Sequence, residues 1–287
     1  MTKYKATDEV LPAYLQTDSG RLAIRHQSAG AGSGDEAGET SETGETGDAP
    51  HILFCSGFHS TMLGNKAGFL SQMCREHQWA FTRFDYRGHG ESDGAPQDFT
   101  LAHWLQDTLD VIDSSTGPVL LVGSSMGAWL ATLAALRRPD RIVGLLLLAA
   151  APDFLDELIV PRLDAAQIWD LQQDSTVNLA GEHEQPYPIT QALIDSARSL
   201  SVLNTPGSSG NPPVSELACP VRLIHGTHDM DVPSELSSRL MAQIVHDDAR
   251  LTLLHRADHR LSDERSLQFL STQLRELVTH VSERQQA

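Results

Sequence analysis

The chain has 287 residues, 40% apolar and 21% charged, which is enough to bury a core as one large domain spanning 1–287. Its formal net charge of −17 repels phosphate backbones and anionic lipid surfaces, so neither nucleic acid nor a membrane surface is expected as a partner. No apolar run approaches the roughly 18 residues of a membrane span, and the N-terminal MTKYKATDEVLPAY has no apolar signal core and carries Asp8 and Glu9.

In chain order, the first predicted strand is 22–26. It is followed by SAGAGSGDEAGETSETGETGDAP at 28–50, a stretch with six acids, no base and no large apolar residue. Such a composition cannot bury enough surface to offset chain entropy, so an acidic low-complexity surface loop is expected. Short apolar runs then alternate with segments of helical period. Strands are predicted at 52–55, 80–85, 119–122, 142–149, 221–225 and 251–255. Helices are predicted near 65–78, 100–115, 126–137, 233–245 and 262–282. Unbroken apolar strands alternating with helices imply an α/β fold, with a mostly parallel central sheet flanked by helices. The rhythm lapses at 152–213, and an insertion at that edge of a parallel sheet implies a small cap over a ligand site.

The chemistry centres on VLLVGSSMGAWL at 119–130. It contains G-x-S-x-G between an apolar strand and an Ala/Leu-rich segment, which is the strand–turn–helix context of a nucleophile elbow. Ser125 would project its hydroxyl at a helix N-terminus, where unpaired N–H groups favour developing negative charge. A serine nucleophile needs a base, and the base needs an orienting acid. Asp229 and His259 each stand just past a predicted strand, in the Ser–Asp–His order of this architecture. Asp231, Asp258 and Asp153 are rival acids. Backbone N–H groups of Met126 and Phe58 are the expected oxyanion donors. His59, Ser60, Phe154, Leu158 and Trp169 are candidates for the pocket wall, with Leu155 and Ile159 beside them. The turn FDYRGHGESDG at 84–94 is read as architectural, with His89 not the base.

His225, His228, His255 and His259 do not have the spacing of a metal-binding helix, so no metal is expected, and no cofactor. Cys55, Cys74 and Cys219 form no C-x-x-C pair, so a reducing, cytoplasmic setting is expected. The oligomeric state is left open.

FDYRGHGESDG, VGSSMG, HGTHDMDVP and the late ADH resemble the α/β-hydrolase fold family in order and spacing. More narrowly, AFTRFDYRGHGESDG, VLLVGSSMGAWL, CPVRLIHGTHDMDVP and DHRL look like a bacterial relative of the mitochondrial palmitoyl-protein thioesterases, also known as mycophenolic acid acyl-glucuronide esterases. That resemblance implies a triad at Ser125, Asp229 and His259. It implies hydrolysis of esters or thioesters of hydrophobic acyl groups, with a small acyl ester, an acyl thioester or an S-acylated protein as partner. Two alternatives remain at this point: hydrolysis of another bond class (an amide, or a carbon–carbon bond of a ring-cleavage product), and a non-catalytic ligand-binding module on the same scaffold.

Overall fold

The computed structural model of the chain describes residues 11–18, 20–30, 49–179, 186–203 and 212–286. Most of the expected acidic loop, 31–48, lies outside the described residues, as do 180–185 and 204–211 of the expected cap.

The chain opens with strands β1 (Ala13–Thr17), β2 (Gly20–Gln27) and β3 (His51–Cys55), then helix α1 (Asn65–Glu76) and strand β4 (Phe81–Phe84). Helix α2 (Leu101–Ser114), strand β5 (Val119–Ser124), helix α3 (Met126–Arg137) and strand β6 (Ile142–Leu148) follow. The insertion then supplies helix α4 (Ala165–Gln172), strands β7 (Val177–Leu179) and β8 (Tyr187–Ile189), and helix α5 (Gln191–Ser199). Strand β9 (Val221–Gly226), helix α6 (Ser234–Gln243), strand β10 (Ala249–Leu254) and helix α7 (Glu264–Gln286) complete the chain.

Eight strands form one sheet in the order β1-β2-β4-β3-β5-β6-β9-β10. The β1–β2 and β2–β4 pairs are antiparallel and the rest are parallel. The pleat sorts the central strands between two cores. Ile52, Phe54, Leu120, Val122, Leu146 and Leu148 belong to the core that also holds Leu70 of α1 and Leu270 and Leu274 of α7. Their sequence neighbours Leu53, Cys55, Leu121, Leu145 and Leu147 belong to the core built with Trp104 of α2 and Trp129 of α3. Both faces are therefore covered, which explains the unbroken apolar runs. Helix α3 is buried at every position from Met126 to Leu136.

Two departures from the sequence reading have plain causes. Strand β1 was not expected: it sits at the sheet edge with a mostly exposed pattern, so it carries no apolar signature. The strand–helix rhythm was read as lapsing in the insertion, yet its described residues include α4, α5 and the antiparallel pair β7 and β8. Helix α4 buries only Leu171, too little to leave a helical period in the sequence. What secures it is its start, where Asp164 accepts from the Gln167 N–H and the Gln167 side chain accepts from the Asp164 N–H.

The insertion is fastened to the body at defined points. The Trp129 indole donates to the Leu200 carbonyl at 3.2 Å, and the Ala102 N–H donates to Ser196 Oγ at 3.0 Å. Asp153 is 2% exposed and accepts from the Ser201 hydroxyl and from the backbone N–H groups of Val202 and Leu203. Its carboxylate is thus consumed in closing the insertion back onto the strand from which it leaves.

Candidate active site

Ser125 caps the N-terminus of α3 with φ 56° and ψ −119°. This is a strained conformation for a side-chain-bearing residue. The turn is held because the Ser125 N–H donates to the Leu148 carbonyl at 2.9 Å. Glycine is required on both sides. A side-chain carbon at Gly123 would lie 2.5 Å from the Gly127 carbonyl oxygen, and one at Gly127 would strike the carbonyls of Cys55 and Ser56. The close approach of α3 to the end of β3 brings the following loop against the serine. The position of a Cβ at Gly57 lies 3.3 Å from Ser125 Cβ.

Asp229 follows β9 and His259 follows β10, adjacent parallel strands in register at their ends. The structure brings both to Ser125. His259 Nε2 is 3.2 Å from Ser125 Oγ, and His259 Nδ1 is 2.7 Å from Asp229 Oδ2. The Asp229 side chain is 1% exposed and that of His259 is 21% exposed, so the acid is enclosed while the base retains access. Burial alone would raise the Asp229 carboxyl. Hydrogen bonds from His225 and His259, with the charge of His259, outweigh it and hold the group far below the usual carboxylate range.

Two of the rival acids are occupied elsewhere, and the third stands beside Asp229. Asp153 closes the insertion, as above. Asp258 Oδ1 accepts from the Leu261 N–H within its own turn. Asp231 donates its N–H to Asp229 Oδ1 at 3.0 Å. Asp229, Asp231 and His259 bring ligand-type atoms within 4.8 Å of one another, but the Asp229 and His259 atoms are already joined by a hydrogen bond. Next to His259 in sequence, the Arg260 carbonyl accepts from Lys66 Nζ. Enclosure of Lys66 lowers its ammonium pKa to about 8.

The oxyanion donors expected from the sequence are the N–H groups of Phe58 and Met126, the latter among the helix-start N–H groups that have no intrahelical partner. The first lies in the loop against Ser125, the second at the start of α3. The loop carrying Phe58 is braced by the turn at 84–94. Asp85 accepts from the Met62 and Glu91 N–H groups, and the His59 N–H donates to His89 Nε2 at 3.2 Å. Gly90 has φ 50°, and a side-chain carbon there would collide with the Asp85 carboxylate. His89 therefore serves as a brace.

The Phe58 ring lies 5.4 Å from Phe154, 5.6 Å from Tyr187 and 5.6 Å from Trp104, centroid to centroid. His59, with φ 54°, sets its ring 4.6 Å from Tyr187, and burial lowers its pKa to about 4. Leu158 is partly buried and packs against the core that holds Trp104 and Trp129, and Ser60 is exposed. Trp169, expected in the pocket wall, is 60% exposed on α4, a helix whose buried residue is Leu171. Tyr187 and Trp104 were not singled out from the sequence. The YPIT stretch was the one available signal for Tyr187, and it gave no hint that β8 would meet Phe58.

Residues 52–271 match the alpha/beta hydrolase family, and the chain belongs to that family of hydrolases. A mitochondrial palmitoyl-protein thioesterase, ABHD10, of Pongo abelii is 33% identical over 244 residues, covering 82% of this chain and 75% of that protein. A pimeloyl-(acyl-carrier protein) methyl ester esterase of Nitrosomonas europaea is 27% identical, covering 74% of this chain and 90% of that one. Among solved structures, alpha/beta hydrolase domain-containing protein 10 from mouse superposes with a TM-score of 0.78 at 28% identity, covering 95% of this chain and all of that one, 100%. Among the described residues no helix is long and apolar enough to cross a membrane.

Proposed function

We propose that this chain hydrolyses esters or thioesters of hydrophobic acyl groups through an acyl-enzyme on Ser125. The observation that carries the reading is the unbroken line from Ser125 Oγ through the His259 ring to Asp229. The names of the thioesterase and esterase relatives support the bond class.

In this reading the His259 Nε2 takes the hydroxyl proton as Ser125 Oγ attacks the acyl carbonyl. Asp229 keeps the proton of the neutral ring on Nδ1 and stabilises the imidazolium that forms. The N–H groups of Phe58 and Met126 receive the oxyanion, aided by the positive end of α3. The imidazolium then gives its proton to the departing alkoxide or thiolate. Water, activated by the same ring, attacks the acyl-serine carbonyl and releases the acid. No step needs a cofactor or a metal. The insertion, 152–213, acts as a cap. Its Phe154 and Tyr187, with Phe58, form an aromatic wall suited to an apolar acyl group. Both small acyl esters and S-acylated proteins present the required carbonyl.

The test is hydrolysis of paired p-nitrophenyl esters and acyl thioesters across chain lengths, with Ser125→Ala run beside the parent chain. The expected result is turnover in both series that lengthens with the acyl group, and a loss in kcat of about 10⁶-fold in the variant. Retained turnover in Ser125→Ala, or no turnover of any ester or thioester, overturns the proposal.

A further inference from the structure

The acid of the triad is held by a second histidine. His225, at the end of β9, is 0% exposed. Its Nε2 lies 3.0 Å from Asp229 Oδ2 and 2.9 Å from the Val232 carbonyl oxygen. Neither acceptor carries a proton, so the proton of this ring sits on Nε2 and is shared between them. That leaves Nδ1 as an acceptor, and Ser237 Oγ of α6 stands 2.7 Å from it. The ring is therefore fixed at both nitrogens, in one tautomer.

The consequence for Asp229 follows from counting acceptor sites. An ionised carboxylate offers about four. Oδ1 accepts from the N–H groups of Asp231 and Val232, at 3.0 and 2.7 Å. Oδ2 accepts from His259 and shares the proton of His225. Every direction around the carboxylate is thus occupied, and of the two donors to Oδ2, His225 is held by Ser237, which takes no part in the proposed reaction, whereas His259 is held by the reacting Ser125. His259 must turn its ring and change charge during a reaction, so it cannot also be the group that fixes the acid.

We propose that His225, itself anchored by Ser237, is a positioning residue that sets the plane of the Asp229 carboxylate and thereby the aim of His259 at Ser125. The inference rests on the proposed Ser125 hydrolysis. Its mark is a loss confined to the chemical step, since the hydrogen bonds of His225 go to Asp229, Val232 and Ser237 rather than to the aromatic wall.

The experiment compares His225→Gln with His225→Met. The two replacements are alike in length and lack of branching, but only glutamine offers an N–H to Asp229. Turnover of a p-nitrophenyl ester is measured, with thermal melting as the check on folding and Ser125→Ala as the reference for serine dependence. A misaimed base costs up to about 100-fold. The expected result is a fall in kcat of tens of fold for His225→Met with KM within about twofold, and recovery of most of kcat in His225→Gln. Equal kcat values in the two variants, whether high or low, overturn the proposal. If the methionine variant does not fold, Ser237→Ala decides: a several-fold fall in kcat at unchanged KM supports the anchoring, and unchanged kcat refutes it. Activity that survives Ser125→Ala would instead remove the underlying hydrolysis reading, a separate outcome.

Discussion

His259 and Asp229 meet nitrogen to oxygen at 2.7 Å, on a carboxylate that is 1% exposed, while the opposite nitrogen of the same ring faces Ser125. The contact makes a strong prediction about which ring nitrogen holds the proton. Asp229→Asn keeps the shape of the side chain but can present an N–H where Asp229 presents a lone pair. The ring then moves its proton to Nε2 and loses the ability to accept from Ser125. A fall in kcat of about 10⁴-fold is expected. Steady-state kinetics on a p-nitrophenyl ester checks it, and kcat within tenfold of the parent would contradict the assigned tautomer.

How much of this could be read in advance differs from residue to residue. Ser125 was legible because its turn leaves no freedom: the apolar strand, both glycines and the apolar helix must all be present for α3 to approach β3. Asp229 and His259 were legible because each closes a strand of the parallel sheet, so order along the chain placed them side by side. Tyr187 was not, because its meeting with Phe58 depends on how the insertion folds back. For Trp169 the sequence carries no directional signal, because a large aromatic side chain in a short, barely buried helix can face either way. His225 was visible only as a rejected metal ligand. Its role depends on Ser237, twelve residues on, and on the turn that brings Asp229 back over it, and neither leaves a trace in a periodic pattern.

The stability of the scaffold beside the site depends on one enclosed ion pair. Arg87 Nε lies 2.6 Å from Asp107 Oδ1, with the side chains 3% and 0% exposed. The Arg87 N–H also donates to Asp107 Oδ2 at 2.9 Å. Removing the acid leaves a guanidinium charge with no room for water, a loss of about 3–5 kcal/mol. Asp107→Ala is therefore expected to lower the urea midpoint sharply. The exposed pair of Arg138 and Asp113 is the control. Asp113→Ala should leave the midpoint nearly unchanged, because solvent screens that pair. Equal effects from the two substitutions would refute the argument.

Acid should destabilise the protein through His89. The residue is 5% exposed. Its Nδ1–H faces the Arg87 carbonyl at 3.3 Å, and its Nε2 must keep a lone pair to accept from the His59 N–H. Burial lowers its pKa from 6.5 to about 4. The folded pKa lies below the unfolded one, so between those values the unfolded chain binds the extra proton. Stability from this group is complete above about pH 6.5 and is lost as pH falls toward about 4. Protonation would also aim a second N–H at the His59 N–H, loosening the loop that carries Phe58. A shift of this size corresponds to a few kcal/mol in the fully acid limit, on the order of 1.4 kcal/mol per unit. Asp107, raised by burial to about 6, and Asp85 and Asp153, also raised by burial, work in the opposite direction over part of the range, so the informative quantity is a difference between two chains. His89→Gln retains one acceptor and one donor but does not titrate. Urea unfolding at pH 7, 6, 5 and 4.5 should show the parent losing stability faster than the variant as pH falls. Parallel curves for the two chains would mean that His89 is already protonated in the folded state, contrary to its hydrogen bond with His59.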